Sequence, residues 1–120
     1  MTELEDTLAT LVRNVPGAVF AAVGGMDGLL VEQTPGDRDD LPEAVAELTT
    51  VLSIARRTVG ELLEGGPLAR VTIDADDLSV GIWTVTDEYW CIVASTLTID
   101  LRAVGPSARD AVDRIRGSLT

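Results

Sequence analysis

Apolar positions along the chain recur with two periods, and the alternation between them sets out the elements. Leu4, Leu8, Leu11, Val12 and Val15 share one face at helical spacing, which predicts a helix over Glu3 to Asn14. Thr2 and Glu5 form a T-x-x-E capping box in front of it, and Pro16-Gly17 stops it. Two short apolar runs follow, Ala18 to Val23 and Leu29 to Gln33, on either side of the turn Gly24-Gly25-Met26-Asp27-Gly28. This reads as a β-hairpin. Both runs are apolar on consecutive residues, as expected of strands covered on both faces.

A polar loop, Thr34 to Asp40, leads into the longest predicted helix, Leu41 to Leu63. Asp40 and Glu43 are placed to form a D-x-x-E cap, and Gly65-Gly66-Pro67 ends the helix. Leu41, Ala44, Val45, Leu48, Val51, Leu52, Ala55, Val59, Leu62 and Leu63 share an arc about 120° wide, the expected sheet-facing stripe. Three more strands follow at Leu68 to Asp74, Leu78 to Val85 and Tyr89 to Thr96. Their links are too short for parallel crossovers, so they form an antiparallel meander. Gly105-Pro106-Ser107 opens a last helix to about Leu119, with Ala108, Ala111, Val112, Ile115 and Leu119 as its apolar stripe. The fold class is therefore α/β in the α+β sense, in the order α-β-β-α-β-β-β-α. A five-stranded antiparallel sheet is sandwiched between helices, with the first and last helices on one face and the long helix on the other.

Composition narrows what such a fold can do. The 120 residues suit a single domain spanning 1–120. The net charge is -11, and all 9 basic residues are Arg. That surface repels phosphate backbones and anionic membranes, so neither nucleic acid nor membrane insertion is expected, and a basic protein surface is the natural partner. With no His, no Lys and one cysteine, Cys91, the chain lacks the residues for His base catalysis, Lys Schiff bases, a P-loop or Cys-rich zinc. We expect no catalytic residue, metal or cofactor. The single Cys, the acidic N-terminus and the absence of a long apolar run point to a soluble, cytoplasmic protein.

Several local patterns have a plain structural explanation. Asp74-x-Asp76-Asp77 lacks the later Gly and Glu of an EF-hand and reads as an acidic turn. Gly24-Gly25-x-x-Gly28 is followed by a strand and has no Lys, so it reads as a hairpin turn rather than a phosphate loop. Trp83, Tyr89 and Trp90 gather at the last turn of the meander, where they either seal a core edge or form a partner hot spot.

Three stretches carry a family resemblance. Leu11-Val12-Arg13-Asn14-Val15-Pro16-Gly17-Ala18 is similar to a leucine-rich helix exit ending in V-P-G. Asp27-Gly28-Leu29-Leu30-Val31 is similar to a D-G-L-hydrophobic second strand. Cys91-Ile92-Val93-Ala94, then Leu97 to Leu101 and a final amphipathic helix, complete the set. In this order the chain resembles the roadblock/light-chain-7 family from about Leu4 to Leu119, a roadblock/profilin-like fold. The resemblance implies a homodimer or heterodimer whose sheets join edge to edge and whose long helices lie side by side. It also implies regulation or scaffolding of small Ras-like GTPases, as in bacterial members.

In that light the long helix offers two candidate surfaces. Ile54 lies outside the apolar arc; it is either a lone exposed residue or part of a dimer seam with Thr50, Val51, Thr58 and Glu61. The strand at 69–74 is the candidate free edge, contributing Arg70 and Thr72. Arg56 and Arg57 are a basic doublet in an acidic chain. They either pair locally, as Arg57 with Glu61, or, with Ser53, meet an acidic patch on a GTPase. The expected function is thus a dimeric, non-catalytic regulator or adaptor of a small Ras-like GTPase, with modulation of GTP hydrolysis in a signalling or polarity system as one mode. The alternatives are a small-molecule-sensing domain and a self-assembling structural subunit.

Overall fold

The computed structural model describes residues 2–119. Its elements are α1 (Glu3–Asn14), β1 (Ala18–Gly25), β2 (Leu30–Thr34), α2 (Leu41–Ala55) continued by a π-helical segment (Arg56–Leu62), β3 (Arg70–Asp74), β4 (Ser79–Thr84), β5 (Tyr89–Ser95) and α3 (Leu101–Leu119). The strands form one sheet in the order β2-β1-β5-β4-β3, and every neighbouring pair is antiparallel. The meander folds back so that its last strand pairs with the first strand of the hairpin, with Val23 opposite Cys91. This leaves β2 and β3 as the edges.

The continuous apolar runs have the expected cause: the sheet has a core on each face. On one side Leu8 and Leu11 of α1, Val15 just after it, and Val104, Ala108, Ala111 and Ile115 of α3 pack on Ala21, Val23, Cys91 and Val93. On the other, Leu41, Val45 and Leu52 of α2 pack on Phe20, Ala22, Ile82, Trp90 and Ile92. Adjacent residues of β1 and β5 thus feed opposite cores, so neither strand has a polar face.

Helix ends follow local chemistry, with two corrections. Thr2 caps α1 as expected, its Oγ1 accepting from the Glu5 N–H at 3.1 Å. Asp40 does not cap α2 through its side chain. Its carboxylate is taken by Arg38, whose Nε and Nη2 donate at 3.0 and 2.8 Å. A bidentate charged partner outcompetes a lone backbone N–H. The same guanidinium lies 4.8 Å above the Phe20 ring.

The last helix starts at Leu101 rather than at Gly105, which places Pro106 inside it. Asp100 provides the start: its Oδ1 accepts from the Arg102 N–H at 3.0 Å and its carbonyl from the Val104 N–H at 2.8 Å. Val104, buried in that first turn, anchors it to the core. Pro106 removes one backbone bond, and the cap together with the buried valine offsets that loss.

The reading of the first turn also shifts. Gly24 and Gly25 are the end of β1, not the turn itself. A Cβ on Gly24 would sit 2.6 Å from Trp90 Cζ2, so the glycine is there to let the indole lie against the strand. The reversal is made by Gly28, at φ 86°, and by Asp27, whose Oδ1 accepts from the Leu29 N–H at 3.1 Å.

Candidate functional site

The long helix covers only part of its face of the sheet. α2 lies over β1 and β2. On the β3–β4 side of the same face, Val71, Leu78 and Val80 are only half-buried and Ile73 is exposed. Register places Val71 opposite Ile82 and Ile73 opposite Val80, so these residues share the α2 face. Arg70, Thr72 and Asp74 point to the face of α1 and α3.

The stripe on the long helix divides at Ala55. Leu41, Val45 and Leu52 are buried, and Ala44, Leu48 and Ala55 partly so. Val51, Val59, Leu62 and Leu63, all expected to face the sheet, are instead exposed, Leu62 and Leu63 by 67% and 71%. For Val59, Leu62 and Leu63 the cause is the winding, whereas Val51 lies ahead of it, at the edge of the arc beside Ile54. From Arg56 onward the helix takes an extra residue per turn, with the Leu63 N–H donating to the Thr58 carbonyl at 3.0 Å. The 3.6-residue stripe loses its phase there, and the apolar side chains turn outward.

Ile54 is 61% exposed. Thr50, Val51, Thr58 and Glu61 are exposed as well, as are Arg70 and Thr72 on the free edge. The structure thus leaves all seven candidate seam residues accessible and adds Val59, Leu62, Leu63 and Ile73, which sequence reasoning assigned to the core or left out. The signal that could have found them is Gly60, in the middle of the second half of the helix, where α-helical regularity is weakest.

The basic doublet splits. Ser53 and Arg57 are exposed, but Arg56 is half-buried, donating from Nη1 to the Asp87 carbonyl at 3.1 Å and from Nη2 to that of Thr86 at 3.5 Å. Arg57–Glu61 is not among the ion pairs of the described residues, which are Arg38–Asp40, Arg114–Asp110 and Arg116–Asp113. In a π-wound segment residues four apart no longer stack, which explains the missing pair.

The aromatic group also separates. Trp83 and Tyr89 belong to the core under α1 and α3, whereas Trp90 is buried in the other, its Nε1 donating to the Gly25 carbonyl at 3.3 Å. The three therefore do not form one hot spot. Cys91 is fully buried, and burial pushes its thiol up to about 12, so the side chain is an inert apolar group. In the acidic turn, Asp74 Oδ1 accepts from Ser79 Oγ at 2.5 Å, and among the described residues no set of three acidic or Cys side chains is arranged to hold a metal. No helix of the described residues is long and apolar enough to cross a membrane.

The Roadblock/LC7 domain model matches residues 4–95. The chain belongs to the Roadblock/LC7 family. Among solved structures, a Roadblock/LC7 domain from Streptomyces avermitilis superposes with TM-score 0.88 at 21% identity, covering 98% of both chains. Myxococcus xanthus MglB gives 0.85 at 12% identity over 99% of this chain and 96% of its own. M. xanthus MglC gives 0.66 at 22% identity over 98% and 99%. At these identities the likeness establishes the fold. No curated protein matches the sequence.

Proposed function

We propose that the chain, as one domain over 1–120, is a non-catalytic cytoplasmic homodimer that serves as a regulator or adaptor for a small Ras-like GTPase. The observation that carries the dimer is the set of exposed apolar side chains: Ile54, Val59, Leu62 and Leu63 on the long helix, and Ile73, with half-buried Val71 and Val80, on the uncovered part of the sheet. A monomer would leave this row in water. A second copy, added through β3 with the long helices alongside, covers it and removes an exposed strand edge.

The sequence of β3 supports that arrangement. Arg70-Val71-Thr72-Ile73-Asp74 is self-complementary when two copies pair antiparallel about Thr72. Arg70 then stands opposite Asp74 of the second copy, and Val71 opposite Ile73, so each face gains either an ion pair or an apolar pair. The GTPase reading rests on what the family resemblance implies, together with the exposed Ser53 and Arg57 on the outer side of the long helix. The sensing alternative is less well supported. A cleft of ≈ 440 Å³ under the π-helical segment is lined by Gly60, Glu61, Pro67, Leu68 and the 84–87 turn, with no aromatic wall to grip a small molecule.

Light scattering at tens of micromolar tests the dimer: a mass twice the chain's 12.7 kDa is expected, and a monomer overturns it. Pull-down with Ras-like GTPases of the same genome, locked in the GTP or GDP form, tests the partner. Retention of one form is expected, and retention of neither overturns the regulator reading.

A further inference from the structure

The opposite face of the molecule carries a feature that neither the dimer nor the GTPase surface uses. Arg102, Arg109 and Arg116 recur every seven residues along α3, so they form one stripe about 21 Å long. They make up three of the 9 basic residues in a chain of net charge -11. Arg116 is held in place, its Nε donating to the Val85 carbonyl at 3.0 Å and its Nη1 meeting Asp113 at 3.4 Å. Among the described residues, neither Arg102 nor Arg109 has a side-chain partner, although acidic residues outnumber basic ones 20 to 9.

Beside this stripe runs a cleft of ≈ 290 Å³ between α3 and the β3–β4 ladder. Its floor is apolar: Trp83 and Val112, with Leu101, itself exposed, at one end. Arg109 and Arg116 form one wall together with Asp113, the ion-pair partner of Arg116, and Arg70 stands across from them; Arg102 lies on the same stripe beyond the cleft. In the proposed dimer Arg70 is turned to Asp74 of the second copy, so the argument rests on the α3 stripe and the floor.

We propose that this cleft docks a short acidic segment of a partner protein, with carboxylates along Arg102, Arg109 and Arg116 and a large apolar side chain on Trp83. Charge complementarity selects the occupant. The remaining surface of the chain repels acidic molecules, so an acidic segment is attracted only where Arg side chains outnumber their acidic neighbours. An anionic bilayer is a poor occupant because the whole negative surface would have to approach it, whereas a single strand or helix meets only the stripe. The apolar floor gives a peptide side chain a place that a bare phosphate would not fill.

The two tryptophans provide the readout. Trp83 lines the cleft, and Trp90 is buried on the far side of the sheet. The full chain, labelled with nitrogen-15, is titrated with a blocked octapeptide of glutamates and two leucines. The same peptide with glutamine for glutamate is the control. The Trp83 indole N–H signal is expected to move with the acidic peptide and not with the control, while the Trp90 signal stays. Binding is expected to weaken as salt rises from 50 to 200 mM, and to weaken about tenfold in Arg102→Glu/Arg109→Glu. An unmoved Trp90 signal and an unchanged melting temperature confirm that this variant is folded; if it is not, Arg102→Gln/Arg109→Gln replaces it, with a smaller loss expected. A still Trp83 signal, equal response to the control peptide, wild-type affinity in the folded variant, or binding to phosphatidylserine vesicles in place of the peptide each overturns the proposal.

Discussion

Arg56 donates from Nη1 to the main-chain carbonyl of Asp87 at 3.1 Å, tying the π-helical end of the long helix to the turn between β4 and β5. A charged donor on a partly shielded carbonyl contributes about 1 kcal/mol, less than a fully buried one because water competes for it. Its neighbour Arg57 is exposed and is absent from the ion pairs of the described residues. Adjacent arginines therefore differ in kind. Arg56→Ala is expected to lower stability by about 1 kcal/mol, and Arg57→Ala to change it by less than about 0.5 kcal/mol. Urea unfolding of both variants measures this, and equal losses would show that the Arg56 contact contributes nothing.

Gly24 and Trp90 form a second close relationship, since any side chain at 24 runs into the indole. Trp90 is wholly buried and its Nε1 is bonded to Gly25, so it has no room to withdraw. Gly24→Ala is expected to cost about 1–3 kcal/mol through overpacking. Gly36→Ala, where nothing lies within 4 Å, is the reference substitution and is expected to be nearly neutral. Thermal melts of the two variants separate these outcomes.

The parts of the fold set by long-period patterning were legible in the residues. The order of elements follows from the apolar spacing, and the doubly covered sheet from the unbroken runs of β1 and β5. What escaped was decided by competition between local interactions. Asp40 had the composition of a cap, but Arg38 two residues away claimed its carboxylate. Gly105-Pro106 looked like a helix start, but Asp100 capped the chain earlier and Val104 found a core. The site was hidden for a related reason: a constant 100° period places Leu62 and Leu63 beneath the helix, and only the π-winding turns them outward. No periodic reading contains a change of period, so the open apolar row was hidden from the pattern, and Gly60 is the one residue that hints at it.

That row makes a specific prediction about assembly. Ile54 is 61% exposed and lies on the outer side of α2, so Ile54→Asp should not disturb the core of the protomer. In a dimer with the long helices alongside, it would bury a carboxylate at the seam on both copies. Burying an unpaired charge costs several kcal/mol. The variant is expected to run as a monomer at concentrations where the wild type is a dimer, with unchanged circular dichroism. A dimer of wild-type affinity would move the seam away from α2.

Cys91 predicts an alkaline limit to stability. Its thiol, neutral when protonated, is raised by burial from 9.0 to about 12 in the folded chain. The folded state therefore keeps a proton that the unfolded state gives up, so the stabilising effect is complete below pH 9 and is lost as pH rises towards 12. The slope in that window is about 1.4 kcal/mol per pH unit from this one group. Cys91→Ala is expected to be less stable at pH 7 but to decline less steeply between pH 9 and 11. Parallel decline in the two proteins would mean that the thiol ionises in place.

The GTPase surface can be tested through Arg57 alone. With Arg56 committed to the β4–β5 turn, reversing both residues would confuse a loss of structure with a loss of docking. Among the described residues the Arg57 side chain makes no hydrogen bond or ion pair that Arg57→Glu would break, and in the proposed dimer the substitution changes two charges at once, one on each long helix. If an acidic patch of the GTPase approaches across the two-fold axis, its encounter is steered by these two guanidiniums. Steering acts on the association rate and fades when salt shortens the range of the field. The variant is therefore expected to associate roughly threefold to tenfold more slowly at low salt, and the gap is expected to close as salt rises. Dissociation should change less, because a rim charge contributes little once the complex is packed. Stopped-flow association across a salt series resolves the two rates. A variant that associates at the wild-type rate throughout would place the GTPase on another face, and a variant altered only in dissociation would make Arg57 a packed contact rather than a steering charge.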